Sequence, residues 1–342
     1  MILQEAIALA VAGAPVPSEL LRQAFGEIMD GHATPAQSSA LLVALRTRGE
    51  TTDEIVAAAR ALRERATTAV CSDPRTVDTC GTGGAGRDTF NISTTAAFVV
   101  AGAGVPVAKH GNRAVTGRSG SFDVLEALGV RIDLSVKAAA RVLDEIGIAT
   151  FFAPTAHPAM RHLAGVRREL GVRTVMNCLG PLLNPLGVRN QLVGVYSQDL
   201  VMTLAHALRA LQAERALVVH GSDGLDELTT TGPNAVAWLS DGVVEARTLD
   251  PAELGIPRAR PEELAGGDAG ENARILGAIL DGEEGARADI VVLNAAAALW
   301  VSGSAREMRE GLEQARESVA SGAARASLDR LVRATQEAGE GP

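Results

Sequence analysis

Over the first 66 residues apolar side chains recur three and four positions apart, the spacing of helices with one buried stripe. In ATPAQSSALLVALRTRGE (33–50), Thr34 precedes Pro35 and Gln37 follows three positions on, which predicts a capped helix beginning at Pro35 and stopping at Gly49. TTDEIVAAARALRERA (51–66) repeats the signal with Thr51 and Glu54. The opening MILQEAIALAVAGAPVP carries Glu5 and helical Leu/Ile spacing, so it reads as a first structured helix rather than a leader. Periodicity then fails across TTAVCSDPR (67–75), where a hinge or domain boundary is expected.

From about residue 76 the pattern changes. Short apolar runs, TVDTC, VPVAK, ATFFAP, QLVGVY, RALVVHG and ADIVVLN, alternate with loops and helical stretches such as STTAAFVVAGAG and SFDVLEALG. This alternation predicts a mainly parallel sheet flanked by helices. NAVAWLSDGVVEARTL (234–249) differs, because Asp241-Gly242 between two alternating runs is a hairpin signal and places antiparallel strands at one edge. The basic helical stretch 156–176 lies between strands and is expected to return to the helical domain, while the chain beyond 302 is helical. The fold class is therefore α/β, with a small N-terminal helical domain (1–70, joined by helices from about 157–180) hinged to a larger domain (76–342) around the sheet.

Composition narrows the function. The 342 residues are 46% hydrophobic but only 3% aromatic, so the core is built of Ala, Val, Leu and Ile. Formal net charge is −9, against the basic footprint of a nucleic-acid protein. No apolar run approaches the roughly 18–20 residues of a membrane span. Cys71, Cys80 and Cys178 are odd in number without a CxxC spacing, which gives neither a disulfide framework nor a zinc site and fits the cytoplasm.

The candidate chemistry sits in three strand-end loops. In DTCGTGGAGRDTFNISTT (78–95), GTGGAG satisfies the dinucleotide pattern, but the next predicted strand ends in Lys109 with no acid to hold a ribose. Arg87-Asp88 stand where a P-loop needs Lys and Ser or Thr. A tight turn and a generic anion cradle remain; Asn91, Ser93 and Thr94, only one of which capping would explain, favour the cradle and add oxygen ligands for phosphate or magnesium. KHGNRAVTGRSGS (109–121) brings Lys109, Arg113 and Arg118 to the same sheet edge. GSDGLDELTTTG (221–232) presents Asp226 and Glu227, which by themselves read as a solvated helix start and opposite a phosphate cradle as Mg²⁺ partners. Arg167, Arg168 and Arg173 are either an exposed helix face or include a partner for a substrate carboxylate.

Taken in order, GTGG…FNIST, KHGNRAV…SG, VRRELGVRT followed by NCLGPLLNP, GLDEL and VLNAAAAL resemble the anthranilate phosphoribosyltransferase family almost end to end. The resemblance implies transfer of the phosphoribosyl group of phosphoribosyl diphosphate (PRPP) to the amine of anthranilate, in a homodimer formed through the helical domains, with two Mg²⁺ ions, one on the diphosphate. It implies PRPP contacts at Gly81, Gly83, Gly84, Ala85, Thr89, Asn91, Ile92, Ser93, Thr94, Lys109, Gly111, Thr116, Gly117 and Ser121, with Lys109 stabilising the leaving group. It further implies anthranilate contacts at Gly81, His110, Asn112 and Arg167, metal contacts at Ser93, Asp226 and Glu227, and no assigned acid or base. Ala85 departs from the family's usual Asp, and Phe122 is bulkier than its usual Ala. A nucleoside phosphorylase-like reaction, a different aminobenzoate acceptor, and a non-catalytic nucleic-acid binder are the alternatives.

Overall fold

Four helices open the chain: α1 (Ile2–Val11), α2 (Ser18–Met29), α3 (Pro35–Arg48) and α4 (Thr52–Arg63). The computed structural model describes residues 2–84, 89–114 and 118–339. Both predicted capping boxes are present. Thr34 accepts from the Gln37 amide and Thr51 from the Glu54 amide, and each N3 side chain returns a bond to its cap. Gly49, at φ +95°, ends α3 as its sequence position requires.

After the irregular segment 67–75, strands and helices alternate: β1 (Val77–Gly81), α5 (Ile92–Gly102), β2 (Val107–Gly111), α6 (Ser121–Ala127), α7 (Val136–Ile146), β3 (Ile148–Phe152), α8 (Ala153–Ala156), α9 (Arg161–Leu170), α10 (Met176–Leu179), β4 (Asn190–Gly194), α11 (Leu200–Ala210) and β5 (Arg215–Gly221). The hairpin β6 (Asn234–Ser240) and β7 (Val243–Leu249) follows, then α12 (Ala269–Leu280), α13 (Ala286–Val301), α14 (Met308–Ala320) and α15 (Ala323–Glu337). The sheet order is β3-β2-β1-β4-β5-β6-β7, with the first five strands parallel and the hairpin antiparallel at one edge. Asp241 and Gly242 both have positive φ, as the hairpin's two-residue turn demands.

One expectation is corrected. ADIVVLN is not a strand but the first half of α13, a 16-residue helix. Its apolar run continues into NAAAALWV, and Ile290 to Leu299 are buried without interruption. A helix buried on every side loses the stripe that marks it, so the run alone could not distinguish it from a central strand.

Strand alternation sorts the core into two layers. Leu192, Leu217, Val219, Val236 and Trp238 face α5, α13 and the C-terminal helices. Val193, Ala216, Val218, Ala237 and Leu239 face the opposite way and share an apolar core with α11 and the N-terminal helices. Within that second layer α4 packs on α11, and α9 packs on α2 and α3. Arg63 Nε reinforces the junction by donating to the Leu182 carbonyl at 2.7 Å.

Candidate active site

The strand order reverses between β1 and β4, whose last residues Gly81 and Gly194 are register partners. Crevices at such switch points, beyond the carboxyl ends of the strands, are where open α/β sheets take ligands. Here the turn carrying Asp226 lies directly over both strand ends. A Cβ on Gly194 would meet the Asp226 carbonyl oxygen at 1.6 Å, and one on Gly81 the Asp226 Oδ2 at 2.5 Å. These two glycines are the room in which the acidic turn sits.

That turn is stitched to the glycine loop. Gly83 N–H donates to Asp226 Oδ2 at 2.7 Å, and Ser93 N–H, in the first turn of α5, donates to Glu227 Oε1 at 3.2 Å. Gly83 and Gly84 take positive φ, +69° and +80°, so glycine there is a backbone requirement. Asp226 and Glu227 stand in an irregular, partly buried turn, and the solvated helix start that the bare sequence allowed is absent. Loss of water raises both carboxyls. Glu227 is pushed to about 8, first by burial and then by the neighbouring Asp226 charge, with Lys109 pulling the other way.

Lys109 is buried between β1 and β2 and donates to the Thr79 carbonyl at 2.7 Å. Burial lowers its pKa, while Asp78, Cys80 and Glu227 pull upward. Asp78, also buried, is raised to about 6 by desolvation. It accepts the His110 N–H at 3.2 Å and the Asn184 amide at 2.9 Å, and Asn184 also donates to the Ala108 carbonyl. This bracket ties the ends of β1 and β2, and sequence reading assigned it no role.

At α5, Asn91 occupies the N-cap position but makes no capping bond; its Oδ1 accepts from Asn272 at 3.0 Å. Ser93 and Thr94 lie within the first helical turn rather than before it. Thr94 Oγ1 is buried without a hydrogen-bond partner among the described residues. Ile92 is buried, and Thr89 bridges to Ala265 where Gly266 touches Phe90 too closely for any side chain.

The second loop folds back on itself. Asp123 Oδ2 accepts both the Ala114 and Gly120 amides at 2.8 Å, and the Asn112 carbonyl accepts from Ser121 Oγ. Asn112 is exposed, and Gly111 leaves room for Ser121 and Phe122 beneath it. Phe122 is fully buried and stacked on Phe152 with centroids 5.1 Å apart, so its bulk supports the loop from below. Ala85, Thr116 and Gly117 lie outside the described residues.

Two histidines that close the β2 end carry buried ring nitrogens without partners among the described residues, Nε2 of His110 and Nδ1 of His157. Their rings meet edge-on at 5.2 Å, and His157 Nε2 contacts the Leu183 carbonyl at 2.8 Å. Desolvation drives His110 down to about 3, so the imidazole is neutral. His157 was missed by sequence reading, since AHPAM offers only an isolated His. Arg167 on α9 is half-buried, its pKa lowered by desolvation, and its guanidinium has no hydrogen bond or ion pair among the described residues. Thus the structure joins the glycine loop, α5, Lys109 and the acidic turn into one cluster. Among the described residues no bond connects Arg167 or Asn112 to it.

Two adjacent carboxylates beside the Ser93 hydroxyl are hard oxygen donors, each with one carboxylate oxygen engaged by a backbone N–H. Among the described residues no group of three or more His, Cys, Asp or Glu forms a metal cage. The donor set therefore suits Mg²⁺, which keeps waters and completes its shell with substrate phosphates.

A doubly wound sheet with a glycine loop, a buried lysine and paired carboxylates at its switch point, docked to a helical bundle, is the architecture that family models assign to glycosyl transferases. The glycosyl transferase family helical bundle domain matches residues 4–66 and its a/b domain residues 73–325. A relative from Moorella thermoacetica named anthranilate phosphoribosyltransferase is 53% identical over 330 residues, spanning 96% of this chain and 97% of its own. The crystal structure of anthranilate phosphoribosyltransferase from Thermus thermophilus superposes with a TM-score of 0.92 at 43% identity, covering 97% of this chain and 99% of that one. The Saccharomyces cerevisiae enzyme in complex with PRPP and Mg superposes at 0.90 with 28% identity, covering 98% of each chain. The chain belongs to the anthranilate phosphoribosyltransferase family.

Proposed function

We propose that the cluster at the β1–β4 switch point binds the diphosphate of PRPP and that His110 and Arg167 contact anthranilate. The chain is a Mg²⁺-dependent glycosyltransferase of tryptophan biosynthesis. It transfers the phosphoribosyl group of PRPP to the amine of anthranilate and releases diphosphate. The observation that carries the site assignment is the stitching of Asp226 to Gly83 and of Glu227 to Ser93, which sets the acids beside the glycine loop.

Gly81, Gly83 and Gly84 with the first turn of α5 present fixed backbone dipoles to the diphosphate, joined by Asn91, Ile92, Ser93, Thr94, Thr89, Gly111 and Ser121 around its rim. Ala85, Thr116 and Gly117 complete that set by sequence position. Lys109, held under the strand ends by Thr79, lends positive charge as the leaving group departs. Asp226, Glu227 and Ser93 would hold Mg²⁺, which would supply neutralising charge to the diphosphate; we assign two ions, because the two carboxylates and the diphosphate together offer more oxygen donors than one ion takes.

Among the described residues Arg167 is a desolvated cation without a partner, which an anthranilate carboxylate would satisfy by a bidentate pair. Asn112, His110 and His157 would orient the acceptor ring and amine. An aniline-type amine is neutral at pH 7, and His110 is held neutral, so positioning rather than a strong base drives attack. The boundary at 67–75 separates the two domains, with α9 returning to the helical one. The helical domain also forms the homodimer: α1 and α3 pack side by side and expose Val11 and Val43. Light scattering should read twice the 35.3 kDa chain mass, and a monomer at micromolar concentration contradicts the dimer. Free Cys71, Cys80 and Cys178 suit the cytoplasm, and among the described residues no helix is long and apolar enough to cross a membrane.

The test is PRPP-dependent loss of anthranilate together with release of diphosphate in equal amount. Phosphorolysis of a nucleoside without any turnover of PRPP would instead favour the phosphorylase-like reading.

A further inference from the structure

Arg173 is not needed by the roles above, yet it touches the glycine loop. It follows α9 and its left-handed cap Gly171, in the segment that leads away from the helical domain. The guanidinium lies 4.5 Å over the centroid of the Tyr196 ring, and its Nη1 donates to the Gly84 carbonyl at 3.3 Å. Tyr196 follows β4, and its N–H donates to Thr82 Oγ1 at 3.0 Å, while Thr82 N–H donates to the Gly194 carbonyl at 2.9 Å. The Tyr196 hydroxyl lies 3.8 Å from Cys178 Sγ on α10.

We propose that Arg173, stacked on Tyr196, is a positioning residue that fixes the glycine loop for diphosphate binding. Thr82 is tied to β4 on one side, but Gly84, two residues on, has positive φ and the conformational freedom of glycine. An anchored carbonyl fixes the direction of that peptide's dipole. The Arg173 contact removes freedom that diphosphate binding would otherwise have to remove, which is preorganisation. Only arginine suits the place: its planar guanidinium stacks on the ring and still donates in its own plane, which a lysine ammonium cannot do. The inference rests on the diphosphate reading of the loop.

The experiment compares wild type with Arg173→Gln, Arg173→Lys, Tyr196→Leu, Tyr196→Phe and the Arg173→Gln/Tyr196→Leu pair. Calorimetric binding of inorganic diphosphate with Mg²⁺ is measured beside steady-state kinetics. Arg173→Gln and Tyr196→Leu are each expected to weaken diphosphate binding and raise KM for PRPP about tenfold. Tyr196→Phe, which keeps the ring, should stay within twofold of wild type. KM for anthranilate and kcat should stay within twofold in all variants. The pair should be no worse than either single change, because the two side chains act as one unit, and Arg173→Lys should recover little.

Full recovery by Lys, or an unaffected Tyr196→Leu, would reduce Arg173 to a long-range charge and overturn the inference. So would equal losses in every kinetic constant with a fall in Tm, the mark of a merely structural contact. If wild type binds Mg-diphosphate but does not consume anthranilate, the acceptor assignment fails while this inference is still decided by calorimetry. If wild type does not bind diphosphate at all, the reading of the loop fails and this inference with it.

Discussion

At the scale of single residues, the site depends on what glycine leaves open. Gly194→Ala would drive a Cβ into the Asp226 backbone carbonyl, and no rotamer change relieves a clash with main chain. The acidic turn must then lift from the strand ends, and kcat/KM for PRPP is expected to fall at least a hundredfold, about 2.7 kcal/mol of transition-state stabilisation. Steady-state kinetics on the folded variant checks this, and an unchanged kcat/KM would show that the turn need not sit where it does. Glu227 gives a second residue-level consequence. Its folded pKa, about 8, lies above the ordinary glutamate value of 4.5. Between those values the folded protein holds a proton that the unfolded chain has released. Without metal, stability is therefore highest below about pH 4.5 as far as this group is concerned, and is lost as pH rises toward 8. Melting in EDTA at pH 5 and pH 8.5 should show a larger loss for wild type than for Glu227→Gln. Equal losses would mean that Glu227 is not strained by burial.

At the scale of elements, α13 holds the acidic turn from behind. Asn294, fully buried on that helix, accepts the Leu228 N–H at 3.1 Å and donates to the Leu228 carbonyl at 2.9 Å, one residue beyond Glu227. Asn294→Leu preserves size but leaves both backbone groups buried and unpaired. Chemical denaturation should show a loss of about 2–4 kcal/mol, with weaker Mg²⁺ activation; a stable variant with normal Mg²⁺ response would show that the turn holds itself. Sequence reading lost α13's helical identity for the reason that makes it effective, namely burial on all sides. Local signals survived translation into structure. The Thr34 and Thr51 caps, the Asp241-Gly242 turn and the parallel strand runs all depend on neighbours a few residues away. Gly194, Asp78 with Asn184, and His157 were not legible as site residues, because their constraints come from segments 26 to 106 positions distant or from a turn laid over a strand end.

At the scale of the molecule, an acidic protein with net charge −9 sets Lys109 against the β1 strand end and Arg173 against the glycine loop of one crevice. The sheet's two faces divide the labour. One carries α5 and α13, which fix the cradle and the acids. The other carries the helical domain and α9, which holds Arg167 and is followed by Arg173. Magnesium-dependent use of diphosphate in this crevice is the role proposed for Asp226 and Glu227. The decisive measurement is the loss of anthranilate fluorescence on adding PRPP, across a Mg²⁺ titration, for wild type and for Asp226→Ala/Glu227→Ala. Wild type should show a Mg²⁺-dependent loss, and the folded double variant a rate at least a hundredfold lower. A double variant with wild-type rate and unchanged Mg²⁺ dependence would contradict it.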